Sequence, residues 1–444
     1  MAATSGADQQ GAELDGAHRQ LLQDPVDSLA SAESSTTASS ANGSTGHADG
    51  EVAEKRPCET GVKEEAWVEV GPGEMTHCIG GTTVVGATGE KEIFRSVWKY
   101  YKRNATTIAS YVRQVGGREY EDSTKEEQPG VSVKKHKSVE NRVACLDFEN
   151  LHNSPRSLSR LVEEVEIAPS SDTCLGMETV KENASERDSD DLGVNVRKAF
   201  KIRGRPGVVF IPNPFKTPDD EARWIAQLAK TYPGSPTSQR NILPSGETAG
   251  ALDKGLRWAT LGFHYDWKNR LYSEEARSPF PRDLSDLAVA LAASVGCNLI
   301  PETAIINYYD RKATMGGHKD DAEWTDEAPV VSISFGNAGV YVLGGDSQSD
   351  VSPPPPIPLI IRNGDIVVLG GASRMNLHGV PCMLSNTMPR STFAALARRN
   401  AINQSTIPPP PTLADYMAST RINVNVRQVR TRLAILSGLK RLPK

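Results

Sequence analysis

The sequence predicts an α+β chain. Its mainly β core is a double-stranded β-helix, or jelly roll, with helices packed on one outer face and a disordered region ahead of it. Three observations predict this. Residues 1–90 are rich in Ala, Ser, Thr and Gly and nearly free of aromatics. Two helix signals follow between about 217 and 295. From Thr303 onward, the pattern shortens to runs of five or six β-branched or aromatic residues, broken by Gly, Asp, Asn and Pro.

Length allows two or three average domains in 444 residues, but composition reduces that number. Residues 1–90 carry fifteen Asp and Glu against four Lys and Arg, and cannot bury enough apolar surface to offset their ordering entropy. Since the whole chain has a formal charge of -5, residues 91–444 are left with a net charge of about +6. That permits a polyanionic partner without demanding one. Six scattered cysteines, with no CxxC pair, read as reduced thiols of an intracellular protein and argue against structural zinc. The longest apolar run, 287–300, is too short to span a bilayer, so no membrane partner is expected. The acidic N-terminus lacks the Arg-rich face of a mitochondrial presequence, which leaves nucleus or cytoplasm as the expected location. The cluster "KKHK" at 134–137 reads either as a nuclear signal or as a solvated loop. A monomer is expected.

In chain order, "EIFRSVWKYYKRN" places Ile93, Phe94, Val97, Trp98 and Tyr101 at helical spacing, on a helix that must pack against another element. Residues 117–197 return to mixed charge, with "VACLDF" and "LSRLVEEVEI" as the only hints of local order. A strand follows at 207–211, stopped by Pro212 and Pro214. Thr217 as N-cap, Pro218 at the first helical position and acidic residues behind it start a helix that buries Trp224, Ile225 and Leu228. "LRWATLGFHYDW" is aromatic but alternates too loosely to assign, and Asp283–Val295 reads as a second helix. Six strands complete the core: "AIINYY", "VVSISF", "GVYVL", "PLIIR", "DIVVLG" and "INVNVR". The resulting division is a disordered acidic tail (1–90), a helix and low-order insertion (91–197), the folded core (198–434) and a basic tail (435–444).

His-x-Asp occurs three times, at His47/Asp49, His264/Asp266 and His318/Asp320. The first lies in the acidic tail, where nothing fixes ligand geometry. The second sits among aromatics without a further ligand, and reads as a buried histidine bonded to backbone. The third follows a strand and the Gly-rich bend "MGG", and His378 comes sixty residues later, directly after another strand. Two His and one carboxylate from separate strands suit the facial triad of non-haem Fe(II) oxygenases. On "RINVNVR", Arg421, Asn423, Asn425 and Arg427 share one strand face. That face either meets solvent or points into the barrel mouth, where two guanidiniums could clamp a dicarboxylate.

Together "AIINYYDRKATMGGHKDDAEW", "APVVSISFG", "GDIVVLGGASRMNLHGV" and "RINVNVRQV" resemble the AlkB family of Fe(II)/2-oxoglutarate dioxygenases. With "FIPNPF", "LRWATLGFHYDW" and the early helix, the likeness leans to the eukaryotic branch of AlkB homologue one. It is dense over 205–380 and resumes at 420–430, which assigns 198–434 to the dioxygenase domain. The resemblance implies that His318, Asp320 and His378 ligate iron, with 2-oxoglutarate and O2 as cosubstrates. It implies that Arg421 pairs with the distal carboxylate of 2-oxoglutarate, with Arg427 near its other end and the Asp320 ligand. Asn307, Tyr309 and Asn423 match cosubstrate contacts, and Trp258 and Tyr265 match aromatics of a nucleotide-recognition lid, though core packing accounts for them about as well. Ala322 departs from the family, standing where the bacterial archetype has an acidic residue.

The implied activity is oxidative demethylation of a methylated base in nucleic acid, releasing formaldehyde, succinate and CO2. The resemblance favours N1-methyladenine in tRNA, with N6-methyladenine in DNA as the competing substrate. A base must leave its stack to reach such a site. A protein hydroxylase or histone demethylase shares the iron chemistry, and a non-enzymatic nucleic-acid reader shares the fold. Arg430, Arg432, Lys440, Arg441 and Lys444 near the C-terminus either contact phosphate or stay solvated.

Overall fold

The computed structural model describes residues 67–71, 74–79, 82–87, 90–116, 145–167, 192–242, 255–345, 355–400 and 412–437. All of them fall within one unit, Glu64–Lys444. Strands β1 (Trp67–Gly71), β2 (Glu74–Ile79) and β3 (Thr82–Ala87) form an antiparallel meander. They lie in the stretch expected to be disordered. The correction has a local cause: "WVEV" and "TTVVGA" carry enough β-branched and aromatic residues for short strands, which the surrounding acidic composition hides.

A ten-stranded antiparallel sheet holds most of the core. Its main path runs β4 (Val162–Glu164), β5 (Phe200–Ile202), β6 (Val208–Ile211), β15 (Ile366–Leu369), β12 (Val330–Gly336), β17 (Arg421–Arg427), β10 (Thr303–Tyr309), β8 (Trp258–Asp266) and β7 (Gln239–Arg240). Strand β9 (Leu271–Arg277) pairs with β8. A second sheet of four strands runs β11 (Met315–His318), β16 (His378–Met383), β13 (Gly339–Leu343) and β14 (Ile357–Ile361). The six strands read from Thr303 onward all form, within about a residue of their expected limits. The unassigned aromatic stretch is the nine-residue β8.

Alternation along these strands separates two environments. Val331, Ile333, Phe335, Ile422, Val424 and Val426 point out of the larger sheet and pack on helices. These are α3 (Pro218–Ala226), α4 (Arg282–Ala293), α5 (Arg390–Asn400) and α6 (Leu413–Ala418). Helix α3 starts as its sequence dictates, with the Thr217 hydroxyl accepting from the Asp220 amide at 3.2 Å. On the inner side, Val330, Val367 and Leu369 meet Leu343, Ile357 and Leu359 of the smaller sheet.

Helices do not keep to one outer face. Helix α1 (Glu90–Arg103) and α2 (Ala105–Val115) cover the smaller sheet, burying Phe94, Val97, Tyr101, Ile108 and Val112 against Val340, Val342, Ile360 and Leu384. The expectation of one covered face fails because the smaller sheet also alternates, and its outward valines need cover. Among the described residues, no helix is long and apolar enough to cross a membrane.

The insertion also contributes to the core. Leu146 bridges to Leu359 beside β14, and Phe148 stacks on Phe210 with ring centroids 3.9 Å apart. Arg362, 2 % exposed, donates to both carboxylate oxygens of Asp147 at 2.6 and 2.8 Å, and the Tyr111 hydroxyl donates to the same carboxylate. Removing Asp147 leaves the buried Arg362 with only the more exposed Glu149, 3.1 Å from its Nε. Asp147→Ala is expected to cost about 3–5 kcal/mol, read as a shift of the urea midpoint. A loss under about 1 kcal/mol would contradict this account.

The C-terminal boundary shifts as well. A short helix, Arg432–Leu436, crosses the expected limit at 434, and Arg430 is held by Glu302 at 2.7 Å. Arg430 therefore belongs to the core and not to a solvated tail. Lys440, Arg441, Lys444 and the "KKHK" cluster lie outside the described residues.

Candidate metal centre and active site

Strands β11 and β16 pair so that His318 stands directly opposite His378. Side chains at paired positions leave the same sheet face, and the two rings lie 4.4 Å apart between centroids. Sequence reading finds a Gly-rich bend at "MGG" and assigns no element to "HGVPCM". Glycine serves this site physically: a Cβ on Gly317 would meet the Phe94 ring of α1 at 2.6 Å. The Trp98 indole of the same helix donates to the Met315 carbonyl at 2.9 Å.

Each imidazole Nδ1 lies 3.0 Å from the carbonyl two residues before it, Gly316 for His318 and Asn376 for His378. A carbonyl can only accept, so Nδ1 carries the proton and Nε2 presents its lone pair. His318 Nε2 is 3.8 Å from Asp320 Oδ1, and His378 Nε2 is 3.7 Å from Asp320 Oδ2. The three donors lie within 4.8 Å of one another, the one such His, Cys, Asp or Glu group among the described residues. Burial works to raise the Asp320 pKa, but the adjacent Arg427 guanidinium outweighs it and holds the carboxyl well below the usual range. Burial and the neighbouring His318 push His378 down to about 4, so its ring is neutral at pH 7. Two imidazoles and one carboxylate are a donor set that fits ferrous iron.

The His378 shift gives a pH prediction for metal-free protein. The unfolded ring takes a proton near pH 6.5 and the native ring only near 4, so stability falls as pH drops between them. This group alone should lower the unfolding free energy by about 2 kcal/mol from pH 7.5 to 5. His378→Gln should flatten that slope in urea titrations; an unchanged slope would refute the assignment.

Tyr309, Asn423 and Arg421 line the same cavity as the three donors. Arg421 is 3 % exposed, donates to the Ser334 hydroxyl at 2.7 Å and to the carbonyls of Asn337 and Ile361, and forms no ion pair with a described residue. Its Nε has no hydrogen-bond partner. Burial lowers its pKa to about 10, and the opposing pull of Tyr309 and Asp365 does not restore it. A buried cation left in this state calls for an anion in the cavity. Tyr309 pairs with Arg421 across β10 and β17, and the Asn423 amide donates to the Ser332 hydroxyl at 2.8 Å.

The face of β17 thus points inward, but its two arginines do different work. Arg427 donates to Asp320 at 2.7 Å and to Glu323 at 3.1 Å and does not line the cavity. A clamp of two guanidiniums on one dicarboxylate is corrected: adjacent carboxylates already neutralise Arg427. Asn307 pairs with Asn423 and Trp258, is buried, and also stands off the cavity wall. Trp258 and Tyr265 lie outside it too. They pack on Trp267 at 5.1 and 4.8 Å, and Tyr265 meets Tyr272 at 5.2 Å, so the β8–β9 hairpin carries a row of four rings.

Sequence reasoning missed Tyr341, which lines the cavity and stacks on His378 at 5.7 Å; as the one polar side chain of β13, it was findable. It also missed Glu323 and Arg374, whose partners are not near in sequence. His264 hydrogen-bonds Thr260, and Asp266 accepts from the backbone amides of Lys268 and Asn269, which agrees with the reading of that pair as structural. His47/Asp49 lies outside the described residues. Ala322 packs in an apolar cluster with Phe263, Tyr272 and Val429.

Facing antiparallel sheets that gather two imidazoles and a carboxylate define a candidate non-haem iron oxygenase. Residues 207–427 match the family model described as 2OG-Fe(II) oxygenase superfamily. The chain is 30% identical over 281 residues to the nucleic acid dioxygenase ALKBH1 of Mus musculus, covering 56% of this chain and 71% of that protein. It is 28% identical to the DNA N(6)-methyladenine demethylase ALKBH1A of Arabidopsis thaliana, covering 53% and 81%. To the tRNA demethylase abh1 of Schizosaccharomyces pombe it is 32% identical, covering 40% and 54%. The chain belongs to the AlkB branch of the 2OG-Fe(II) oxygenase superfamily. It is a dioxygenase that uses Fe(II), 2-oxoglutarate and O2.

Proposed function

We propose that this chain removes methyl groups oxidatively from bases in nucleic acid, with His318, Asp320 and His378 holding the iron in a double-stranded β-helix. One observation carries the reading: the three donors converge in the cavity that also holds Arg421, a buried cation with no ion pair among the described residues. When bound, the iron supplies the oxidative chemistry that couples decarboxylation of 2-oxoglutarate to hydroxylation of an N-methyl group. The hydroxymethyl amine then releases formaldehyde and the free base, leaving succinate and CO2.

The chain's own residues bind and orient. The Nδ1 bonds keep both Nε2 atoms facing the metal, and Arg427 fixes one oxygen of Asp320. Arg421, with the Ser334 hydroxyl beside it and Tyr309 across the strand pair, receives the distal carboxylate of 2-oxoglutarate. Asn423 lines the path between that carboxylate and the iron; Asn307 supports it from the neighbouring strand, and Arg427 acts through the Asp320 ligand. Val330, Val367, Leu369 and Val380, which also line the cavity, keep the site dry.

Two further observations support a nucleic-acid substrate. Trp258 and Tyr265, joined by Trp267, offer stacking faces for a base taken out of its helix. Lys91, Arg95, Lys99 and Lys102 form an exposed basic stripe on α1, the helix that packs against the strand of His318. Relatives differ in the substrate their names carry, DNA N6-methyladenine in one and tRNA in another. We favour N1-methyladenine in tRNA, acted on by a monomer in the nucleus or cytoplasm. The test is succinate formation with matched methylated stem-loop RNA, single-stranded DNA, duplex DNA and peptide. Methylated RNA should stimulate most. Stimulation by none, in protein that binds iron, would overturn the reading.

A further inference from the structure

We propose that Glu323, clamped by Arg374, is a positioning residue for the metal centre, acting on Asp320 through Arg427; this rests on the reading of His318, Asp320 and His378 as ligands. The four residues close a ring. Arg374 Nη1 donates to the Asp320 carbonyl at 2.6 Å and Nη2 to Glu323 Oε2 at 3.0 Å. Glu323 Oε1 accepts from Arg427 Nη1 at 3.1 Å, and Arg427 Nη2 returns to Asp320 Oδ1 at 2.7 Å. The ring therefore grips Asp320 twice, by its backbone and by one carboxylate oxygen, and leaves Oδ2 turned toward His378.

Burial and charge decide the role. Glu323 is 3 % exposed and Arg374 2 % exposed, so neither reaches solvent. The Tyr272 hydroxyl donates to Glu323 Oε1 at 3.2 Å, which gives that oxygen two donors and leaves no free face for a substrate contact. Two guanidiniums and two carboxylates balance. Without Glu323, Arg427 would hold Asp320 as its only anion and compete with a metal for it. Arg374 fixes Glu323 from the other side, with its Nε on the Ala328 carbonyl at 3.3 Å.

The experiment is titration of the full chain with Mn(II) in the absence of 2-oxoglutarate, well below the melting temperature. Glu323→Gln keeps size and removes charge; Arg374→Lys keeps charge and removes the fork. Each should weaken Mn(II) binding about 10–100-fold. Their combination should weaken it about as much as the worse single change, because both open one ring. Asp147→Asn, at a buried Asp–Arg pair that touches none of the four ring residues, should lower the melting temperature and leave Mn(II) affinity unchanged. Wild-type Mn(II) affinity in either folded ring variant, with binding lost in His318→Ala, would overturn this proposal alone. Unchanged affinity in His318→Ala would overturn the ligand assignment and this proposal with it.

Discussion

His318→Ala is expected to reduce 2-oxoglutarate turnover at least about a hundredfold and to leave the fold intact. Its ring is one of three donors, and the remaining imidazole and carboxylate cannot complete a facial set. The pairing of β11 with β16 is made by backbone, and His318 keeps a third of its side-chain surface open, so truncation opens no sealed cavity. Thermal melting of the metal-free variant should stay near wild type, while iron no longer raises it. Retained turnover with an unchanged melting curve would remove His318 from the metal centre.

Arg421→Ala should raise the KM for 2-oxoglutarate by two to three orders of magnitude, roughly the value of one buried, charge-assisted pair. Stability should hold, since the arginine has no ion pair among the described residues and its burial already lowers its pKa to about 10. Metal affinity should not change, because the guanidinium bonds Ser334 and two carbonyls and none of the three donors. A shorter oxo acid with no distal carboxylate separates this role from general damage. Wild type should discriminate strongly against it, and the variant should treat both acids alike. Persisting discrimination would place the distal carboxylate elsewhere.

Legibility of the chain followed the range of the forces involved. Strands such as "GVYVL" and the start of α3 at Thr217 depend on neighbours within a few residues, and both formed where the pattern put them. The smaller sheet's glycine-rich strands did not read as strands, because their pairing is set by partners about sixty residues away. At the site, the ligand types and Arg421 were visible as spacing and face. The different work of Arg421 and Arg427 came from the family resemblance and not from the strand face, because Glu323 reaches Arg427 only in the folded chain. Helix α1 was legible as amphipathic, while two of the four strands of the sheet that receives it, β11 and β16, were not.

That helix has a consequence for how the molecule is made. Tyr101 accepts from the Cys382 thiol across 281 residues, and Trp98 reaches Met315 across 217. During synthesis α1 emerges early with Phe94, Val97 and Tyr101 uncovered, and its docking face is complete only when β16 has left the ribosome. Contacts this distant form late, after the loop-closure cost of everything between has been met. The nascent chain thus carries an apolar helix through most of its translation, and holdase chaperones have their longest opportunity to bind there.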